Sequence, residues 1–178
     1  MRRLTQIPGM TLAVMLTLVV AQGLVFGPAA HAEDARGLEG TWLMEATLVD
    51  CDTGQPLPIP GNPFPALHTY LRGGTMQDAG APPPRPTAVT RSAAHGIWER
   101  TGDQTFRVRF RFFGFDAAGV HAGTFEVTIE RSLQQGDHSK MDEIIGAGTV
   151  RIFNPAGVLV GAGCNRDRGR RLEFEEKE

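Results

Sequence analysis

Residues 105–115 read TFRVRFRFFGF, and the polarity of this stretch alternates at almost every position. Phe106, Val108, Phe110 and Phe112 fall on one side of an extended chain, and three arginines fall on the other. A period of two with aromatic and β-branched residues is typical of a strand that buries one face. The stretch therefore predicts a β-strand whose aromatic side faces a hydrophobic core.

The following segment, residues 123–133, reads GTFEVTIERSL and alternates in the same way. Its inward positions are apolar: Phe125, Val127 and Ile129. A turn at residues 116–119 makes the two segments an antiparallel hairpin, which places Glu126 and Glu130 beside the arginine row on the other face. We interpret the arginine row as a charge-paired outer face rather than a polyanion site, with each pair worth only tenths of a kcal/mol.

Shorter alternating segments between Gly-, Asn- and Pro-containing turns extend this pattern along the chain, and helical periodicity is almost absent after residue 32. The predicted strands are residues 41–49, 67–72, 95–100, 105–115, 123–133, 144–153, 158–164 and 170–174. The fold class is therefore all-β. We expect an eight-stranded antiparallel up-and-down barrel, because closure removes both exposed edges. An open β-sandwich is the alternative.

Residues 1–32 have the three parts of a secretory signal: a basic start, an apolar core at residues 10–26 and an A-x-A cleavage site at residues 30–32. We expect cleavage, export to the periplasm or the cell exterior, and one domain over residues 33–178. An uncleaved membrane anchor is the alternative, but the apolar core is short for a span. The mature form is thus expected to have no membrane span.

The remaining segment carries 16 basic and 20 acidic residues, a net charge of −4. It has no basic field for nucleic acid, so no nucleic-acid partner is expected. No nucleophile elbow, phosphate loop or paired catalytic carboxylate occurs. The histidines lie apart, without metal-ligand spacing: His68, His95, His121 and His138. We therefore predict no catalytic residue, no metal and no cofactor, and the pattern leaves enzymatic activity undecided.

Cys51 and Cys164 are the only cysteines. In an oxidising compartment an even pair favours a disulfide, which here closes a loop of more than 100 residues and is worth roughly 4–5 kcal/mol. Two separate thiols are the alternative. Cys51 ends the first predicted strand and Cys164 ends the seventh, so both are expected at one rim with the eighth strand between them.

Two proline-rich stretches, residues 52–65 and 79–86, cannot form helix or inner strand. They are interpreted as stiff rim loops, with a polyproline peptide ligand as the alternative. The first stretch joins the first two strands, so any gate to the barrel is expected at the cysteine end.

The first predicted strand opens with Gly40-Thr41-Trp42, which resembles the Gly-x-Trp signature of lipocalins and the wider calycin group. The chain is also similar to uncharacterised exported bacterial proteins with lipocalin-like barrels. The segments that carry this second resemblance are HGIWERTGDQTFRVRFRFF at 95–113, RIFNPAG at 151–157 and GCNRDRGRR at 163–171. The lipocalin resemblance implies that Trp42 plugs the closed end of the barrel beneath Arg170 or Arg171.

These observations give three functional hypotheses. The first is a barrel that binds a small hydrophobic molecule in an apolar cavity. The second is an enzyme on the same scaffold, similar to the allene oxide cyclase type of lipid cyclase or isomerase. The third is a filled barrel that acts on another protein through its rim loops. The expected cavity lining is His68, Tyr70, Phe106, Val108, Phe110, Phe125, Val127 and Ile129. A cavity favours the first two hypotheses, and a buried histidine or acid facing it favours the enzyme.

Overall fold

The computed structural model of the protein describes residues 37–82, 90–134 and 142–174, so the expected signal segment lies outside the described residues. Within these ranges the chain forms nine strands: β1 Gly40–Val49, β2 Phe64–Leu71, β3 Thr75–Gly80, β4 Thr90–Arg91, β5 Ala94–Arg100, β6 Thr105–Phe115, β7 His121–Gln134, β8 Glu143–Phe153 and β9 Leu159–Arg171. Among these residues, no helix is long and apolar enough to cross a membrane.

The strands form one closed antiparallel barrel. Each strand pairs with its neighbour in the order β6-β5-β3-β2-β1-β9-β8-β7, and β7 returns to β6. The short β4 also pairs with β6, next to the start of β5. We therefore count β4 and β5 as two parts of a single strand. The result is the predicted eight-stranded up-and-down barrel, and the open-sandwich alternative is excluded.

Two of the predicted strand assignments are wrong. Residues 75–80 form β3, which was not predicted, and the predicted strands 158–164 and 170–174 are one continuous strand, β9. The cause is the same in both places, because the inward positions of these strands, apart from Met76, are polar or small and give little alternation of hydrophobicity. The residues concerned are Asp78 and Gly80 in β3, and Asn165, Asp167 and Gly169 in β9.

The predicted disulfide between Cys51 and Cys164 is confirmed, with 5.2 Å between the two Cα atoms and a sequence separation of 113. Cys164 lies opposite Val49 in the ladder between β1 and β9. The expectation of an intervening strand is wrong, because β9 continues past Cys164 as the direct neighbour of β1. The bridge therefore fastens the start of the β1–β2 loop to the adjacent strand.

The outer face of the β6–β7 hairpin is charge-paired, as predicted. Arg107 Nε donates to Glu130 Oε1 at 2.6 Å, and Arg109 and Arg111 each donate to Glu126 Oε2 at 2.7 Å. Arg151 on β8 lies 3.3 Å from the other Glu126 oxygen, so three guanidinium groups cover one carboxylate. Burial alone would raise the pKa of Glu126, but the hydrogen bonds from Arg109 and Arg111 hold it below its usual value.

One end of the barrel is closed by a tryptophan. Trp42 is fully buried, and its Nε1 donates to the carbonyl of Leu38 at 2.9 Å. The guanidinium carbon of Arg171 lies 4.3 Å from the centre of the Trp42 ring, a cation–π distance. Arg170, the neighbouring residue, is exposed, so the alternation of β9 selects Arg171 for this contact.

Arg171 also binds the backbone that leads into β1. Its guanidinium donates to the carbonyl of Gly37 at 2.8 Å, to the carbonyl of Glu39, and to Asp142 Oδ2 at 2.9 Å. Gly40 has a φ of 119°, which side chains rarely tolerate, and an added Cβ there would lie 2.9 Å from an Arg171 nitrogen. The glycine of the Gly-x-Trp signature thus permits the turn that brings Trp42 under Arg171.

Candidate functional site

A buried arginine crosses the inside of the barrel. Arg131 on β7 is 1% exposed, and its Nη2 forms an ion pair with Asp167 on β9. Its Nη1 lies 3.0 Å from Nδ1 of His68 on β2. Because β7 and β2 are four strands apart in either direction around the eight-stranded ring, Arg131 connects opposite walls. The interior is thereby divided into a closed half that contains Trp42 and an upper half that extends toward the cysteine end.

A glycine makes the Arg131–Asp167 pair possible across the strand between them. Gly146 on β8 is the ladder partner of both residues. A Cβ at this position would overlap Oδ1 of Asp167 and lie 2.9 Å from Cγ of Arg131. The absence of a side chain at Gly146 therefore admits two large side chains across β8.

His68 is an uncharged acceptor in this arrangement. A guanidinium group can only donate, so Nδ1 of His68 accepts from Arg131 and the ring proton lies on Nε2. The hydroxyl of Tyr70 also lies 3.2 Å from Nδ1. Burial, together with the positive charges of Arg131 and Arg91, holds the pKa of His68 well below its usual value of 6.5. The imidazole is therefore neutral at physiological pH.

A second ion pair lies beside the histidine. Arg91 Nη2 donates to Asp78 Oδ2 at 2.7 Å, and its guanidinium carbon lies 3.9 Å from the centre of the Phe112 ring. The other oxygen of Asp78 lies 3.9 Å from Nε2 of His68, beyond hydrogen-bonding distance. Burial raises the pKa of Asp78, and the ion pair with Arg91 opposes this effect.

We refer to six of these side chains as the interior polar cluster: His68, Tyr70, Asp78, Arg91, Arg131 and Asp167. The cluster contains two arginines and two aspartates, and its histidine is neutral. Its formal charge is therefore balanced when both ion pairs are ionised.

The upper half of the barrel contains a partly open cavity. Its volume is about 50 Å³ when measured for the centre of a water-sized sphere, which is room for about three to five water molecules. Its apolar lining is Ala46, Leu48, Phe64, Ala66, Phe110, Phe112, Phe125, Val127, Ile129 and Val150. Its polar lining is His68, Asp78, Arg91, Asn165 and Asp167. The polar residues belong to the interior polar cluster or, for Asn165, to the next inward position of β9.

Several buried polar atoms around the cavity have no hydrogen-bond partner within the described part of the protein. Three are acceptor oxygens that belong to cavity-lining residues: Oδ1 of Asp78, Oδ1 of Asn165 and Oδ1 of Asp167. One is a donor, Nε of Arg131. An unpaired buried polar group costs about 1–3 kcal/mol. The cavity thus presents more free acceptors than free donors.

The β1–β2 loop covers part of the barrel at the cysteine end. Oδ1 of Asn62 accepts from the amide of Leu48 at 2.8 Å, and Nδ2 of Asn62 donates to the carbonyls of Leu48 and Leu57 at 3.0 and 2.9 Å. Leu57 and Ile59 pack against the core. This proline-rich stretch is therefore an ordered rim loop. Of the second stretch, residues 79 and 80 end β3, so the prediction that it forms no inner strand is wrong for these two residues; residues 83–86 lie outside the described residues.

The sequence-predicted lining residues all point inward, but they divide between the two halves. His68, Phe110, Phe125, Val127 and Ile129 line the cavity. Tyr70 and Phe106 are equally buried and lie toward the Trp42 end, and Val108, the ladder partner of Ile129, is buried without lining the cavity.

The sequence interpretation missed five polar residues of the site: Asp78, Arg91, Arg131, Asn165 and Asp167. Arg131 had a detectable signal, because it continues the inward phase of Val127, Ile129 and Leu133 on β7. A charged residue in an otherwise apolar inward row indicates a buried ion pair.

No three His, Cys, Asp or Glu side chains are arranged to hold a metal ion in the described ranges; His138 lies outside them. Comparison of the chain with protein-family models, with curated proteins and with solved structures finds no match.

Proposed function

We propose that this protein is an exported, lipocalin-like barrel that binds a small, mainly apolar molecule in the upper half of its interior. The observation that supports this proposal is the partly open cavity above Arg131, whose wall is apolar except at the interior polar cluster and Asn165. Concave apolar sites with a few directed polar groups are typical of small-molecule binding. The volume of about 50 Å³ is too small for a long acyl chain, and because the cavity is partly open, a ring-sized or short-chain molecule can extend from it toward the cysteine end.

Native mass spectrometry of the protein purified from its own host tests this proposal. We expect a bound mass that is released when the protein unfolds. The Val127→Phe variant should lose that mass, because Val127 lines the cavity and is 5% exposed. Val160→Phe is the matched control, since Val160 is 60% exposed. A wild-type protein that carries no bound mass and takes up none from a host extract contradicts the proposal.

Export is the second part of the proposal. It rests on the signal-like residues 1–32 and on the disulfide, since disulfides persist in oxidising compartments. Sequencing the amino terminus of the protein from cell fractions tests it. We expect a chain that begins at Glu33 outside the cytoplasm. A chain that retains Met1 and remains in the cytoplasm contradicts export.

A small-molecule isomerase is a second candidate, and it is favoured by one specific observation. The cavity wall contains a buried histidine and a buried aspartate, His68 and Asp78, with Nε2 and Oδ1 3.9 Å apart. Burial raises the pKa of Asp78 above its usual value, which makes this carboxylate a stronger base.

Hydrogen exchange on a small ketone tests the enzyme candidate. Cyclohexanone in deuterated buffer should exchange its α-hydrogens faster with the wild-type protein than with Asp78→Asn, as followed by proton NMR. Equal rates with the two proteins exclude Asp78 as a base.

The third hypothesis is a barrel that acts only through its rim. The cavity in the upper half makes it less favoured than the first two.

A further inference from the structure

We infer that the molecule bound in the cavity is uncharged and carries a hydrogen-bond-donating end group, such as a hydroxyl or an amide, that binds the free oxygen of Asn165; a second donor hydrogen, as in a primary amide, would bind the free oxygen of Asp78. This inference rests on the proposed binding function and specifies its ligand class. The apolar part of the ligand would contact the wall formed by Val127, Val150 and the aromatic residues beside them.

The first step concerns the free acceptors. Asp78 and Asn165 are 3% and 6% exposed, both line the cavity, and each has an Oδ1 without a hydrogen-bond partner in the described part of the chain. Oδ1 of Asp167 is a third such atom, but it faces the space beside Gly146 and is less accessible to a ligand. Most of the unpaired polar atoms at the cavity are therefore oxygens, which accept hydrogen bonds from donor groups.

The second step concerns charge. Arg91 is paired with Asp78, and Arg131 is paired with Asp167, so neither guanidinium is left to neutralise a ligand anion. Both aspartates are likewise committed to a buried cation. Any charged ligand would add an uncompensated charge to a buried site, which is strongly unfavourable. A neutral donor satisfies the free oxygens without this cost.

The third step concerns position. In the ladder between β1 and β9, Asn165 lies one inward position closer to the cysteine end than Asp167. A ligand that enters from the cysteine end therefore meets the apolar wall and Asn165 before it reaches the ion pair of Arg131. This order suits a molecule with an apolar body and a single polar end.

A set of five probes that share one aromatic ring tests the inference on the disulfide-bonded protein. Benzyl alcohol is neutral and donates a hydrogen bond, benzyl methyl ether only accepts, and toluene does neither. Benzoate and benzylammonium carry opposite charges. Isothermal titration gives the dissociation constant of each probe. We expect benzyl alcohol to bind about tenfold more tightly than toluene or the ether, as one added hydrogen bond predicts, and both ions to bind more weakly than toluene.

Two variants locate the effect. Asn165→Leu removes the free oxygen at similar volume, so it should abolish the preference for benzyl alcohol and leave toluene binding intact. Arg166→Gln is the matched control, because Arg166 is the next residue on β9 and is exposed; all dissociation constants should stay unchanged.

The outcomes separate the two proposals. Equal binding of toluene, the ether and benzyl alcohol overturns the inference but retains the binding function, and it would indicate that water satisfies the oxygens. Preferred binding of benzoate or benzylammonium also overturns the inference. No binding of any probe contradicts the proposed function itself. If Asn165→Leu fails to fold, the comparison of the five probes on the wild-type protein alone still tests the inference.

Discussion

The side chains of Arg131 and His68 meet across the full width of the barrel, with 3.0 Å between Nη1 of the arginine and Nδ1 of the imidazole. The same guanidinium pairs with Asp167, so a single side chain ties β7, β2 and β9 together. The two partners of Arg131, His68 and Asp167, both line the cavity. The barrel is therefore a packed lower half and an open upper half separated by a polar layer.

Removing Arg131 should destabilise the protein strongly. Arg131→Met leaves Asp167 as a buried carboxylate without its cation, which costs about 3–5 kcal/mol of unfolding free energy. The double variant Arg131→Met/Asp167→Leu should recover most of that loss, because it removes both charges. Urea unfolding of the three proteins measures the effect. A single variant as stable as wild type would show that the ion pair is not formed.

Trp42 should be essential to the closed end. Trp42→Ala removes a fully buried side chain and is expected to cost about 3–5 kcal/mol. Arg171→Gln should also destabilise, since it loses the ring contact and the ion pair with Asp142. Arg170→Gln is the control and should change stability by less than about 0.5 kcal/mol, because Arg170 is exposed. Equal losses from the two arginine variants would contradict the assignment of Arg171.

The sequence predicted the parts of the fold in which the interior is apolar. The hairpin of β6 and β7 was assigned nearly to the residue, because Phe106 to Phe112 and Phe125 to Ile129 alternate with charged residues. The unpredicted strand and the misassigned one, β3 and β9, are those whose inward positions include Asp78, Asn165 and Asp167. Strands that contribute polar residues to the interior of a barrel lack an alternation of hydrophobicity. A pattern based on hydrophobicity therefore does not detect them.

The candidate site was predicted only in its apolar part for the same reason. The two-residue alternation along a strand predicts that His68 and Ile129 face inward. It does not predict which of them lies above Arg131. The depth of a residue depends on how far neighbouring strands are staggered, and the stagger is set by long-range pairing. The contact of Arg131 with His68 joins residues 63 apart in sequence and has no local signal.

The disulfide should contribute much of the stability. The chain-entropy model gives about 4–5 kcal/mol for a bridge that closes a loop of this length. Cys51→Ala/Cys164→Ala should therefore lower the unfolding free energy by an amount of that order. A thiol assay on the denatured native protein should detect no free thiol. Two reactive thiols in protein isolated from its host would contradict the bridge.

Stability should fall as the pH is lowered from about 7 to 5. The folded-state pKa of His68 lies well below 6.5, so in this range the unfolded chain binds a proton that the folded protein does not. Unfolding is then favoured by acid, and the contribution is fully present only above pH 6.5. The slope due to His68 approaches 1.4 kcal/mol per pH unit. Unfolding free energies measured at several pH values give this slope.

The His68→Gln variant isolates that contribution. Its amide oxygen can still accept from Arg131, but the group does not titrate, so the variant should show a weaker dependence on pH than wild type. His95→Gln serves as the control, because His95 is exposed, and it should retain the wild-type dependence. Identical slopes for wild type and His68→Gln would show that His68 is not buried in the neutral form. Asp78, whose pKa is raised, acts in the opposite direction in both proteins.

Nuclear Overhauser effects between toluene and the methyl groups of the protein test most directly whether the upper cavity binds a ligand. The methyl groups of Val127, Ile129 and Val150 line the cavity, those of Leu133 and Ile144 lie in the closed half, and those of Val158 and Val160 are exposed. We predict contacts from toluene to the first group and none to the other two. Contacts confined to Val158 and Val160, or no contacts at saturating toluene, would contradict binding inside the barrel.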